Sequence, residues 1–233
     1  MKELVSKITN AKINEYPFKH LIINDFLDKK NLELLSADIS SLETMNNYRE
    51  YQSAYGQKKE WKTFPEDLEN LNNWIHFLQG DIFINALSEK FNLPKDSKIS
   101  PDNSFDGGGY VISPPGSFLG YHADFNFSTS THKFRVLNVL FYFNQDYKSE
   151  FGGRLHLLDS DSKTVEGSLE PKMNTMLVFL TDDVSFHGVS KNSKDFYRRS
   201  FNLYYYADKP LSSNQSAEPH KTIWVQQDKH DHY

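Results

Sequence analysis

The sequence predicts an α+β fold with a mainly β core, of sandwich or jelly-roll type (cupin-like), with N-terminal helices packed on the sheet. Two observations carry this. The first is a change of pattern near residue 100, with helical spacing before it and short strands after it. The second is the make-up of the later runs. GGGYVIS, RVLNVLFYFN, RLHLLD, NTMLVFLT and RRSFNLYYYAD are short and rich in β-branched and aromatic residues, and Gly, Pro, Asn, Asp and Ser punctuate them. Their spacing suits an antiparallel barrel rather than βαβ units. At 233 residues a single domain over 1–233 is expected, mainly helical over 1–100, with the β core over 101–208 and a C-terminal extension over 209–233.

The elements follow in order. Leu21 to Leu27 reads as a short strand or the lead-in to a helix. Asp28 is a plausible N-cap for KKNLELLSADISSL, where Leu32, Leu34, Leu35 and Ile39 share a face. The aromatic run from Asn46 to Phe64 (Tyr48, Tyr51, Tyr55, Trp61, Phe64) fits a lid over a pocket or packing between helices. Residues 66–91 place Leu68, Leu71, Ile75, Leu78, Ile82 and Leu87 at helical spacing, with a break near Gly80. From Lys209 the chain is polar and reads as a surface extension. Its terminal His230-Asp231-His232 is read as tail rather than metal site.

Composition narrows the function. With no cysteine, a disulfide scaffold, a thiolate zinc site, an iron–sulfur cluster and a cysteine nucleophile are excluded. A reducing compartment is natural for such a chain. The opening stretch lacks the apolar core of a signal peptide, so a cytoplasmic location is expected. A net charge of −5 argues against a nucleic-acid partner, and no apolar run reaches membrane-spanning length.

His122 and Asp124 stand two apart in YHAD. On a strand, side chains two apart share a face, so an imidazole and a carboxylate converge. His187, 65 residues later and just beyond the strand MLVFLT, is the best candidate for a third ligand. Two His and one carboxylate suit non-haem Fe(II) with positions left open, and zinc is the main chemical competitor. Eleven residues after His187 comes RRSFNLYYY from Arg198 to Tyr206. Strand alternation puts Arg198 and Ser200 on one face and Arg199 on the other. An arginine inside a barrel is expensive unless it meets an anion, and its fork suits a carboxylate. His156 on the RLHL strand could face either way, and His132 falls in a linker between strands. No nucleophile–base arrangement of a hydrolase is suggested.

Six motifs in order (PGSFLGYHADFN, RVLNVLFYFN, EFGGRLHL, EPKMNTMLVF, FHGVS and YRRSFNLYYY) resemble those of the 2-oxoglutarate/Fe(II)-dependent oxygenases, in particular the prolyl-hydroxylase-like branch. The resemblance runs from about Gly107 to Asp208. It implies a double-stranded β-helix, with His122, Asp124 and His187 as the catalytic iron ligands. It implies Arg198 as the partner of the distal carboxylate of 2-oxoglutarate, with Tyr142 and Ser200 beside it. Gly152 and Gly153 match a structural G-G turn. The branch carries a Tyr nine or ten positions before the first metal His. Here those positions are Ser113 and Ile112, so Tyr110 is the candidate substitute for cosubstrate binding. Asn138 and Asn202 stand where some members carry Thr and, with Asn126, are candidate substrate contacts. Retention of Asp124 disfavours halogenation.

The resemblance implies Fe(II) as metal, with 2-oxoglutarate and O2 as cosubstrates. The reaction is hydroxylation of an unactivated C–H bond with release of succinate and CO2. The expected substrate is a small molecule: an amino acid, a sugar or a specialised metabolite. The alternatives are a prolyl residue in a protein or peptide, or a jelly-roll module that binds without reacting. Oligomeric state is open.

Overall fold

A computed structural model describes residues 2–225, so His230 and His232 lie outside the described residues. The chain begins with α1 (Lys2–Asn10), β1 (Ile13–Asn14), β2 (His20–Ile23) and α2 (Lys29–Thr44). A hairpin follows, β3 (Arg49–Ser53) and β4 (Gly56–Trp61), then α3 (Glu69–Gln79) and α4 (Asp81–Lys90). The remainder is β5 (Ser100–Pro101), β6 (Gly109–Ser113), β7 (Leu119–Ala123), β8 (Phe127–Ser128) and β9 (Lys133–Tyr142). Then come β10 (Leu155–Leu158), β11 (Val165–Leu169), β12 (Met176–Leu180), β13 (His187–Val189), β14 (Arg198–Ala207) and β15 (Ile223–Trp224).

The helices form as their sequences predict. The Asp28 carboxylate accepts the Asn31 backbone N–H at 2.9 Å, which caps α2. Leu35, Ile39 and Leu42 are its buried stripe, and Leu71, Trp74, Ile75 and Leu78 are that of α3. Gly80 ends α3 and starts α4. These apolar stripes meet one face of β9, β12 and β14, where Leu137, Val139, Phe141, Val178, Phe201, Leu203 and Tyr205 are buried. The opposite face of the same strands turns inward. Leu140, Tyr142, Leu177 and Phe179 there meet Leu155 and Leu157 of β10 and Val189 of β13. The sheet runs β1-β2-β12-β9-β14-β6-β4-β7-β13-β10-β11 with antiparallel pairings, and it curls so that its second half faces its first. This is the double-stranded β-helix, mainly β with few helices.

Two expectations need correction. The first hundred residues are not only a helical layer. β2 extends the main sheet beside β12 (Val178↔Leu21), and β4 bridges β6 and β7. The extension after Lys209 does not merely lie on the surface. β15 pairs with β7, Ile223 opposite Ala123 and Trp224 opposite His122.

Candidate active site

His122 sits on β7 and His187 on β13, and antiparallel register sets them directly opposite each other. Their ring centroids are 4.5 Å apart. Asp124 lies just past the end of β7. Its Oδ1 is 3.5 Å from His122 Nε2, and its Oδ2 is 3.6 Å from His187 Nε2. The three residues are buried, and one ligand atom from each falls within 4.8 Å of the others. Each histidine has its other nitrogen committed. His122 Nδ1 donates to the Gly120 carbonyl at 2.7 Å and His187 Nδ1 to the Ser185 carbonyl at 2.9 Å. Both Nε2 lone pairs are therefore free and aimed at one point.

The charges suit a cation. Burial, aided by the neighbouring His122, lowers the His187 pKa to about 4, so the ring is a neutral ligand at pH 7. Burial acts to raise the Asp124 pKa, but the Arg135 guanidinium, with the two neighbouring imidazoles, outweighs it and holds the carboxyl well below its usual range. Two imidazoles and a carboxylate form the facial set that Fe(II) takes with open positions.

Sequence reasoning missed Arg135. Its Nη2 lies 3.1 Å from Asp124 Oδ2, and its guanidinium stacks 3.4 Å over the Tyr204 ring. Asn138 joins the two, accepting from Arg135 Nε at 2.8 Å and donating to Asp124 Oδ2 at 2.7 Å. Asn138 therefore positions the carboxylate. Strand alternation alone would put Arg135 and Asn138 on opposite faces. A bulge resolves this, because β14 pairs Tyr205 with Leu137 and Tyr206 with Arg135, leaving Val136 over.

Along the same inner face lies Arg198. It is 4% exposed and has no carboxylate partner among the described residues. Its Nε donates to the Gly153 carbonyl at 2.9 Å, its Nη2 to Tyr142 Oη at 3.3 Å and its Nη1 to Ser200 Oγ at 3.5 Å. Burial lowers its pKa. The G-G turn serves this arrangement. Gly153, at φ 67°, leaves the space where a β-carbon would meet Asn192 Oδ1 at 2.5 Å and Arg198 Cδ at 3.3 Å. In register, Ser200 faces Tyr142 and Tyr204 faces Asn138. Four residues of strand, about 13 Å, thus separate the Arg198 end from the Asp124 end.

A cavity of about 90 Å³ opens on this face, lined by Arg198, Asn202, Tyr204, Val111 and Ser113, with Tyr51 and Lys58 of the hairpin above. Asn202 Oδ1 is buried there without a hydrogen-bond partner. The larger cavity of about 600 Å³ lies among the helices, against Leu4, Leu35, Trp74 and Phe77, and touches none of these groups.

Other candidates go elsewhere. Tyr110 faces the helical side, where its hydroxyl donates to Glu43, because it pairs with Phe201 and so shares the Arg199 face. Ser113, opposite Arg198, and Val111, opposite Ser200, are inward residues of that strand. Asn126 ties down the C-terminal segment, donating to the Ser216 and Glu218 carbonyls and accepting from the His220 N–H. His156 points outward to Tyr121, 2.8 Å away, and His132 is an exposed turn residue. The aromatic run divides. Tyr48 and Trp61 pack together at 5.0 Å, whereas Tyr55 stacks on Trp224 at 4.0 Å.

Residues 108–206 match the family model described as the 2OG-Fe(II) oxygenase superfamily. No curated protein matches the chain by sequence. Among solved structures the chain is similar to a Pseudomonas putida prolyl-4-hydroxylase, with 18% identity, 89% of this chain and 98% of that one covered, and a TM-score of 0.61. It is similar to a Trichoplax adhaerens prolyl hydroxylase in complex with a hypoxia inducible factor oxygen degradation domain peptide fragment, with 18% identity, 88% of each chain covered and a TM-score of 0.59. It is also similar to HygX of Streptomyces hygroscopicus with nickel and 2-oxoglutarate bound, with 10% identity, 87% and 92% covered and a TM-score of 0.53. The matched stretch contains the His-Asp-His group and the buried Arg198, so residues 108–206 are similar to the 2OG-Fe(II) oxygenase superfamily, and the fold of the chain is that of prolyl hydroxylases.

Proposed function

We propose that the chain is an Fe(II)- and 2-oxoglutarate-dependent hydroxylase of a small molecule. The observation that carries the cosubstrate is Arg198, a buried guanidinium without an anion on the inner face that leads to the His-Asp-His group. A buried cation of this kind is costly until a carboxylate meets it. 2-Oxoglutarate has a carboxylate at one end and a chelating keto acid at the other.

His122, Asp124 and His187 would hold the metal through Nε2, a carboxylate oxygen and Nε2. Bound Fe(II) supplies the activation of O2 that couples decarboxylation of 2-oxoglutarate to oxygen insertion into a C–H bond. The protein's own groups do the rest. Arg198, Tyr142 and Ser200 orient the distal carboxylate by hydrogen bonds. Arg135 and Asn138 keep Asp124 ionised and fixed, which leaves its charge for the metal. Leu140, Leu155, Leu177 and Val189 exclude water from the reacting groups. Asn202 brings an unpaired acceptor to the cavity wall, where it meets a hydroxyl or amine donor. The hairpin that roofs this face supports a compact substrate.

The test is anaerobic titration of metal-free protein with Fe(II) and then 2-oxoglutarate. Wild type should develop the visible metal-to-ligand charge-transfer band, and His122→Ala should not. A band that persists in His122→Ala, or is missing from folded wild type, overturns the assignment. Mass spectrometry of candidate small molecules and of proline-containing peptides would then show which class gains one oxygen.

A further inference from the structure

Strand β7 carries His122, and one edge of it pairs with β13. Its other edge is taken by two segments from outside the barrel core. At one end the tip of the β3–β4 hairpin sets Gly56 opposite Leu119, and the Gly120 N–H donates to the Tyr55 carbonyl at 2.8 Å. At the other end β15 sets Trp224 opposite His122, and the Val225 N–H donates to the Tyr121 carbonyl at 2.9 Å. The segments meet side chain to side chain, with the Tyr55 and Trp224 rings stacked at 4.0 Å and 12°.

This ring pair stands at the metal face. Directly opposed residues of two antiparallel strands project to the same side. Trp224 therefore shares the face of His122, and its ring lies 4.9 Å from the imidazole. Gly120, two residues before His122, is on that face too. A β-carbon there would stand in van der Waals contact with both rings at 3.4 Å, so the ring pair packs directly over this face of β7. An extended peptide can join a strand only where backbone N–H and C=O groups are unpaired. The edge of β7 beside the metal ligands offers no such run.

We propose that Trp224 and Tyr55, from opposite ends of the chain, set the size of ligand admitted to the metal face. The backbone segments that carry them close the edge of β7 to an extended peptide, and their rings admit a compact molecule to the metal face. This rests on the metal site proposed above, and the experiment separates the two.

The full chain is loaded with Co(II), and binding of azide and of 4-phenylimidazole is followed through the cobalt visible bands. Wild type should bind azide and discriminate against the bulkier ligand. Tyr55→Ala and Trp224→Ala should each shift the affinity ratio about tenfold towards 4-phenylimidazole while azide affinity moves less than about twofold. Trp224→Phe should keep the wild-type ratio. Tyr55 is 42% exposed, so Tyr55→Ala decides the matter even if Trp224→Ala does not fold. An unchanged ratio with azide still bound overturns the size filter and leaves the metal site standing. No cobalt response to azide in wild type overturns the metal site and the filter together.

Discussion

Arg198 and Arg199 are neighbours on β14, yet their surroundings are opposite. Arg199 faces the helices, and Glu43 of α2 grips it with Nε–Oε1 at 2.8 Å and Nη2–Oε2 at 3.2 Å. The Tyr110 hydroxyl donates to the same Glu43 oxygen. Arg198 faces the barrel interior, is buried and, among the described residues, meets only neutral acceptors. One arginine is satisfied by the fold and so stabilises it. The other is unsatisfied by the fold, and only a bound anion completes it. The difference between structural and functional charge here lies in the partner, not in the residue type or its burial.

The largest consequence concerns Arg198. Arg198→Met keeps most of the side-chain volume and removes the charge. It should weaken 2-oxoglutarate binding to the Fe(II) protein on the order of a thousandfold, ~4 kcal/mol, by titration of the charge-transfer band. The same substitution should leave the stability of the ligand-free protein unchanged or higher, because an uncompensated buried charge is gone. A ligand-free Arg198→Met that melts well below wild type would break the contrast. Arg135 is the intermediate case, buried like Arg198 but paired like Arg199, with Asp124 as its partner. Arg135→Met should cost the metal-free protein about 3 kcal/mol, since Asp124 is left buried without its strongest counter-charge. Metal should recover much of that loss. The stabilisation by Co(II), read as a shift in chemical denaturation, should therefore be larger in the variant than in wild type.

Acid sharpens the same point from the ligand side. His187 has a folded pKa of about 4, below the ordinary imidazole value of 6.5. Between those values the unfolded chain takes up a proton that the native ring refuses, so native stability falls as pH falls through that window. Denaturant midpoints of metal-free protein should show this loss from about pH 6.5 to about pH 4. His187→Gln should flatten the profile there. An equally steep profile in the variant would place the titrating group elsewhere.

How much of this was legible follows from which forces leave a mark in sequence. The H-x-D pair and the R-x-S pair were readable because side chains two apart on extended backbone share a face: β14 is regular where Arg198 and Ser200 stand, and Asp124 directly follows the last residue of β7. Arg135 was hidden because a bulge at Val136 re-aims it, and a bulge has no period. The β3–β4 hairpin reads REYQS and GQKKEW, without apolar alternation, since most of it roofs the site and, of its strand residues, Trp61 at the end of β4 joins the apolar core. Its strand character comes from pairing with β6 and β7, a tertiary cause. β15 spans two residues, too few for any pattern. Tyr110 was misplaced for a simpler reason. It is an odd number of residues from Ser113, so it must face the other way.

The smallest effect tests the structural arginine. The Arg199–Glu43 pair is partly exposed, with side chains 34% and 24% accessible, so solvent screens it. Bidentate geometry and the added Tyr110 hydroxyl raise it above an ordinary surface pair, to ~1 kcal/mol. A double-mutant cycle of Arg199→Ala and Glu43→Ala should return a coupling of about that size in denaturant unfolding. Glu43→Ala alone should cost more than Arg199→Ala alone, because it also strips the acceptor from the buried Tyr110 hydroxyl. Neither substitution should move 2-oxoglutarate affinity by more than about twofold, since the pair faces away from the barrel interior. A tenfold loss of cosubstrate binding in Glu43→Ala would mean that the two faces of β14 are mechanically coupled, and that Glu43 holds Arg198 in place through the backbone it shares with Arg199.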